Sequence, residues 1–378
     1  MKGKTIEFKE FVTLQRGFDL PLTQLREGDV PVLGSNCIIG FHNEAKVGPP
    51  GVVTGRSGTL GKVQFVDQPF WPHNTALWVK DFKGNDPKYV YYKLETLGLE
   101  RFSSGASVPT LNRNNLDNLA VDVPTPEVQR QIASVLSPFD DLIENNRRRM
   151  ALLEEAVRLV YQEWFVRLRF PGHEHTHILD GRPEGWARRQ LIELCESIDY
   201  GYTASAEPEE VGPKFLRITD IVPSFINWAS VPHCPIEEER LEKFRLREGD
   251  IVVARTGATV GYAKRLHRRH PEAVFASYLV RLRLRADVDN VMVGVFVESD
   301  AYKNYVRSRV GGAAQPNANA QVLAAAEILV PPSPVQRVFH ELVEPIVDEC
   351  EVLQVQSQKL KVARDLLLPR LMTGEIAV

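Results

Sequence analysis

The phrase VPTPEVQRQI at residues 123–132 returns as VPPSPVQRVF at 330–339. An internal repeat restricts a chain more than its composition does, because both copies must adopt the same local structure and then be packed together or kept apart. Sliding the sequence by 207 residues, so that Gly105 meets Gly312, superposes ten identical residues in the twenty-six positions from 105 to 130 without a gap. Pro109 falls on Pro316, Asn112 on Asn319, Leu116 on Leu323, and Val128-Gln129-Arg130 on Val335-Gln336-Arg337. A fainter echo lies upstream, where VVTGRSGTLGKV (52–63) resembles VVARTGATVGYA (252–263) once a residue is inserted after Gly257. Two halves with the same order of elements are therefore expected.

The repeated phrase opens a region without glycine, Pro126 to Arg169, in which charged and aliphatic residues interleave at helical spacing. Ser137-Pro138 predicts a break: serine caps a helix, proline suits its first turn, and Asp140 and Asp141 complement the dipole of a helix starting there. A short helix and then a long one is expected. In the long one Phe139, Ile143, Asn146, Met150, Leu153, Val157, Val160 and Trp164 are spaced alternately by four and three, a heptad seam with a single polar member. The offset of 207 predicts a second seam of Ile346, Cys350, Leu353, Ser357, Leu360, Arg364, Leu367 and Leu371, of which only Ser357 and Arg364 are polar. Each helix offers one apolar stripe, and such helices depend on packing. The two are expected to pair antiparallel as a coiled coil about a pseudo-twofold axis, the logic of a dimer folded into one polypeptide. The alternative is two independent core helices in separate domains.

Elsewhere short β-rich runs such as TALWVK, DIVVART and SYLVRLRLR are punctuated by Gly, Pro and Asn turns. The expected fold class is α+β: two mixed α/β domains, residues 1–124 and 170–331, separated by helical spacer regions at 125–169 and 332–378. With 378 residues, 43% of them hydrophobic, the chain can fill two such cores.

Several function classes are excluded by what is missing. No run of eighteen apolar residues exists, and MKGKTIEFKE lacks the apolar core of a secretory signal, so a cytoplasmic location without membrane association is expected. Cys37, Cys195, Cys234 and Cys350 form no CxxC pair and are expected to be buried, reduced thiols. VTGRSGTLGKV fails as a phosphate loop, since five residues separate Gly55 from Gly61 and Val63 stands where Ser or Thr should meet magnesium. No nucleophile elbow, HExxH pair or dinucleotide fingerprint appears. His173, His175 and His177 alternate closely enough to trap a metal, but they lie in a Pro/Gly junction and read as a solvated loop. No catalytic residue, cofactor or metal is expected in this chain.

A net charge of −3 argues against coating nucleic acid without selectivity. The distribution is less even: between Arg255 and Arg285 eight basic residues, Arg255, Lys264, Arg265, Arg268, Arg269, Arg281, Arg283 and Arg285, face one acid, Glu272. They form either a solvated strand pair of alternating arginines or a nucleic-acid surface. RSG at 56–58 and RTG at 255–257 each set an arginine and a hydroxyl on a glycine turn after a β run, where donors can reach a phosphate or a base edge. SSGASVPTLN (103–112) and GGAAQPNAN (311–319) add polar loops, and WPHNT (71–75) against FASYL (275–279) is where the halves differ. The candidate DNA-contacting residues are Arg56, Ser57, Lys62, His73, Asn74, Ser104 and Asn112 in the first half. In the second they are Arg217, Arg255, Thr256, Lys264, Ser277, Tyr278, Gln315 and Asn319. Asn112 and Asn319 have an alternative role as turn or N-cap residues.

PTPEVQRQIA (124–133), LSPFDDLIENNRR (136–148), QEWFVRLRFPGHE (162–174) and LLLPRLMTGEI (366–376) together resemble the specificity subunits of type I restriction-modification enzymes, along essentially the whole chain. The resemblance implies two target recognition domains joined by two long helices, with no catalytic activity of their own. It further implies binding to a bipartite sequence in double-stranded DNA and docking of two methyltransferase subunits, which would carry S-adenosylmethionine. The assembly would direct adenine methylation or, with translocase-nuclease restriction subunits, restriction. A helix of about thirty residues spans about 45 Å, comparable to the roughly 34 Å of one DNA turn, so the helix pair is expected to set the unread gap. The competing class is a noncatalytic tandem protein-interaction scaffold, motivated by the negative charge and the absent catalytic motifs.

Overall fold

A computed structural model describes residues 3–104, 108–311 and 316–378. The fold is α+β, and the chain forms two compact units, Met1–Asn145 with Ser357–Val378, and Asn146–Gln356. Each unit holds one β-rich segment and a stretch of both long helices.

The first unit is built on an antiparallel sheet in the order Thr13–Arg16, Ala76–Asp81, Gly51–Gly55, Val63–Val66. The second repeats that order with Cys195–Tyr200, Leu279–Leu284, Ile251–Ala254 and Ala263–Arg265. The VVT and VVA runs are central strands buried on both faces, which is why they read as continuous apolar stretches instead of alternating ones. A one-turn helix precedes each sheet, Phe8–Phe11 and Leu191–Leu194. Each buries residues three apart and closes on itself, Glu10 accepting from the Glu7 N–H (3.2 Å) and Glu193 from the Gln190 N–H (3.0 Å). FKEF and LIEL share only the glutamate, too little for sequence comparison to extend the repeat this far.

The repeated phrase has a structural reason in its glutamine. Gln129 is 1% exposed; its Nε2 donates to the Pro124 carbonyl (2.9 Å) and to Asn85 Oδ1 (2.7 Å), while its Oε1 accepts from the Asp86 N–H (2.8 Å). Gln336 does likewise, donating to the Pro331 carbonyl (2.8 Å) and accepting from the Asp289 N–H (3.1 Å). Asp86 and Asp289 in turn cap the helices Pro87–Thr96 and Asn290–Glu298. The phrase therefore fastens the start of each long helix to its neighbouring domain through a buried amide. Gln129→Ala is expected to cost the first unit about 1–3 kcal/mol, because buried partners are left unpaired, measured as a lower urea midpoint with unchanged slope.

The expected break at Ser137-Pro138 is absent: Pro126–Tyr161 is one helix with Pro138 inside it. An interior proline costs about 3 kcal/mol, but Pro138 lies on the exposed side while Ile132 and Leu136 before it are buried in the core and Phe139 after it is half-buried. Burial of the continuing stripe outweighs the capping signal. The second helix, Ser333–Met372, runs through Pro345 in the same way, with that proline exposed. All the seam positions expected from the heptads are buried or half-buried. Within each unit the helix segments run antiparallel. In the first, Asp140 meets Arg364; in the second, Arg149 meets Glu349 at 2.7 Å and Trp164 meets Phe339 at 5.5 Å between ring centres.

The family-like motifs turn out to be core formers. Trp164, Phe165 and Phe170 of QEWFVRLRF join Trp186 and Phe339 in the second unit, and Leu368, Leu371 and Met372 of LLLPRLM close the first. Of the cysteines, Cys234 and Cys350 are buried as expected, but Cys37 is exposed. Among the described residues no helix is long and apolar enough to cross a membrane.

In the second unit the domain is fastened to the second long helix by polar contacts. Arg265 donates to Glu344 at 2.6 Å, His267 Nε2 lies 2.9 Å from Asp348, and His270 lies 3.1 Å from Glu351. Burial holds His267 below the ordinary imidazole value, against the pull of Glu351 and Glu344. An unfolded chain protonates this group near 6.5, so as pH is lowered through that value the unfolded state binds more protons and the folded state loses stability. The melting temperature is expected to drop from pH 7.5 to 5.5, and His267→Gln to flatten that part of the dependence; an unchanged profile would contradict it.

Candidate nucleic-acid interface

The two glycine turns sit at the same place in the two sheets, at the end of Gly51–Gly55 and of Ile251–Ala254. Around the first, the Arg56 N–H donates to the Thr75 carbonyl (2.9 Å), the Arg56 carbonyl accepts from Leu111 (2.8 Å), and the Gly58 N–H donates to Pro109 (3.0 Å). Around the second, the Arg255 N–H donates to Tyr278 (3.0 Å), the Arg255 carbonyl accepts from Ala318 (2.8 Å), and the Gly257 N–H donates to Pro316 (3.0 Å). Gly58 and Gly257 have φ of +89° and +78°, a left-handed backbone that a side chain would strain. Each turn is thus held rigidly between two further loops, and three sequence-distant segments converge. The pairing of Arg56 with Arg255, and of Gly61 with Gly261 (φ of +83° and +86°), places one extra residue of the second half between Gly257 and Gly261.

The candidate residues divide sharply by what already holds them. In the first unit Arg56 Nη1 donates to the Asn74 carbonyl (3.2 Å), and the Asn74 amide donates to Asp19, itself paired with Arg16 at 2.6 Å. Ser57 bridges to Thr110, and Ser104 Oγ donates to the Thr110 carbonyl (3.2 Å), so both belong to the cluster. His73 spends both ring nitrogens on scaffold contacts, with Thr75 Oγ1 (2.9 Å) and the Leu20 carbonyl (3.1 Å). Asn112 caps a short turn through the Asn114 N–H (3.1 Å). Lys62 is exposed just beyond the turn.

In the second unit Arg255 lies 4.7 Å over the Tyr200 ring and donates to Asn317 Oδ1 (3.2 Å). Thr256 bridges to Asn317, and the Ser277 N–H donates to Tyr202 (2.9 Å). Tyr278 is 61% exposed at the tip. Asn319 caps Ala320–Ala324 through the Val322 N–H (2.8 Å). Arg217 follows the strand Lys214–Leu216 and is held fork to fork by Asp220 (both 3.0 Å). Lys264 lies in a strand away from the turn, paired with Glu298 at 2.8 Å. Gln315 lies outside the described residues.

The basic stretch from Arg255 to Arg285 is mostly neutralised from within. Lys264 meets Glu298, Arg265 meets Glu344, Arg268 and Arg269 meet Asp348, Arg281 meets Asp199, Arg283 meets Asp250, and Arg285 meets Asp287. Among the described residues Arg255 alone of the eight has no carboxylate partner. A guanidinium held over a tyrosine ring and tied to an amide keeps N–H donors of the kind that can bond a base edge or a phosphate.

Sequence reasoning missed further residues of these clusters. Ser35 and Asn36 lie against the first turn, Asn36 donating to Thr59 Oγ1 (3.3 Å). Tyr200 and Asn317 frame Arg255. Arg307 and Arg309 are exposed at the end of the helix Asp300–Arg309, directly before the GGAAQPNAN loop, and their position at that helix end was the available signal.

A family model described as the type I restriction modification DNA specificity domain matches residues 3–155. The chain is similar to the type I restriction enzyme MjaIX specificity subunit of Methanocaldococcus jannaschii, 26% identical over 77% of this chain and 69% of that one. It is similar also to the MjaVIII specificity subunit of the same organism, 25% identical over 78% and 71%. In fold it resembles the crystal structure of a type I restriction-modification system S subunit from M. genitalium, with a TM-score of 0.62 and 16% identity over 97% of this chain and 95% of that one.

Proposed function

We propose, for a chain that belongs to the type I restriction-modification DNA specificity family, that each of its two loop clusters reads one half of a bipartite sequence in double-stranded DNA. The recognition domains are residues 1–124 and 170–331, and the helical regions 125–169 and 332–378 set the gap between the halves. The observation that carries this reading is one backbone geometry bearing different side chains: the same three hydrogen bonds around Arg56 and Arg255, with Asn74 and Asp19 near one and Tyr200 and Asn317 near the other. A common frame with divergent edges suits two readers of different sequences.

The chain is the noncatalytic member of the proposed assembly, and chemistry belongs to docked methyltransferase subunits with their S-adenosylmethionine. Support for two such subunits comes from exposed apolar residues on the long helices, which recur at the repeat offset. Val135 (38%) maps to Leu342 (44%), and Leu159 (48%) to Leu366 (65%). Where a system includes restriction subunits, they would join the same assembly.

The test maps methylated adenines in cells carrying the subunit with its methyltransferase. Arg56→Ala is expected to weaken or relax one half-site and Arg255→Ala the other, each by about 1–3 kcal/mol of discrimination. An unchanged methylation pattern in both variants would point instead to the tandem protein-interaction scaffold.

A further inference from the structure

We infer that Asp140 and Arg364 are a heterotypic key: they make the helix seam accept the other helix of the same chain and refuse a second copy of itself. The pair lies in the first unit, Asp140 20% and Arg364 14% exposed at the side chain. Tyr92 donates its hydroxyl to the second oxygen of Asp140, and Arg364 also holds Asp365 at 2.7 Å. The repeat offset of 207 carries Asp140 to Val347 and Arg364 back to Val157. Val157 is buried in the core of the second unit and Val347 packs against it. Where one unit sets a carboxylate against a guanidinium, the equivalent layer of the other is apolar.

Near-identical halves carry a hazard. A helix that pairs antiparallel with its near-copy can also pair with its own copy from another chain, giving a symmetric dimer. At the same register, two first helices would set Asp140 against Val157 of the other chain, twice over, with Tyr92 as its only hydrogen-bond donor from this network. A half-buried carboxylate stripped of its cation is strongly disfavoured. Two second helices would set Arg364 against Val347, leaving only Asp365 to balance it. The mixed pair alone satisfies both charges, so a polar layer inside an apolar seam selects the partner, as polar seam residues do in coiled helices.

The test starts from the intact, folded chain carrying a protease site in the exposed 174–177 segment, nicked after folding and examined by native mass spectrometry. The nicked chain is expected to remain a one-to-one pair of its two fragments. The nicked Asp140→Val/Arg364→Val chain is expected to redistribute, with pairs of like fragments rising by roughly tenfold or more. Arg364→Lys, which keeps the charge, should stay one-to-one, whereas Arg364→Leu should release second fragments into like pairs. These last two variants decide the matter if the double valine variant does not fold. Like pairs already abundant in the unaltered nicked chain, or identical distributions for Arg364→Lys and Arg364→Leu, would overturn the inference.

Discussion

Four residues inserted after Arg148 are expected to abolish methylation at the original target and to create it at a target with a longer unread gap, while both half-sites keep their sequence. On the reading proposed above, each loop cluster belongs to its own unit and is untouched by a change in the helix. Four residues add about 6 Å at 1.5 Å per residue, close to two base pairs when a turn of roughly 34 Å holds about ten. Four also lies near the 3.6 residues of one turn, so the seam keeps its facing side. Mapping methylated adenines in cells that express the variant with its methyltransferase reads the result. A gap of the original length would remove the spacer role and leave the assignment of the readers standing.

Replacing Arg265 by Met is expected to lower the unfolding free energy of the second unit by about 3–5 kcal/mol, the cost of leaving a buried charge without its partner. Glu344 is 7% exposed and accepts from Arg265 at 2.6 Å, and Arg265 also donates to Asn290 at 2.8 Å. The double variant Arg265→Met/Glu344→Leu recovers most of the loss, because an apolar pair needs no counter-charge. Trp164, Trp186 and Trp228 all lie in this unit, so urea unfolding followed by tryptophan fluorescence measures both variants. A single variant as stable as the parent would mean that water or a neighbouring cation replaces the guanidinium.

Much of the architecture was legible. The seam from Phe139 to Trp164 and its counterpart from Ile346 to Leu371 follow from a period that only a helix with one apolar face requires, and those positions are inward-facing. Even Arg364, an anomaly in the apolar series, has its answer in Asp140. The break at Ser137-Pro138 failed because capping preferences are worth about 1 kcal/mol, whereas the packed residues flanking Pro138 each contribute about 1.5–3 kcal/mol on burial. At the candidate interface the RSG and RTG turns were visible from their glycines. His73, Arg217 and Lys264 were not separable from Arg255 by type alone, and only their partners, the Leu20 carbonyl, Asp220 and Glu298, set them apart.

What the amino-acid order decided by itself is whatever is encoded at short range and then copied: the doubled plan, the helical stripes, the buried glutamine that ties each long helix to its domain. Which charges stay free was decided mostly by the tertiary structure. Arg281 is neutralised by Asp199 and Arg265 by Glu344, partners 82 and 79 residues away, while Arg255 faces a tyrosine and an amide. A cation is available to a ligand only if no carboxylate reaches it first, and chain folding over such distances determines that encounter.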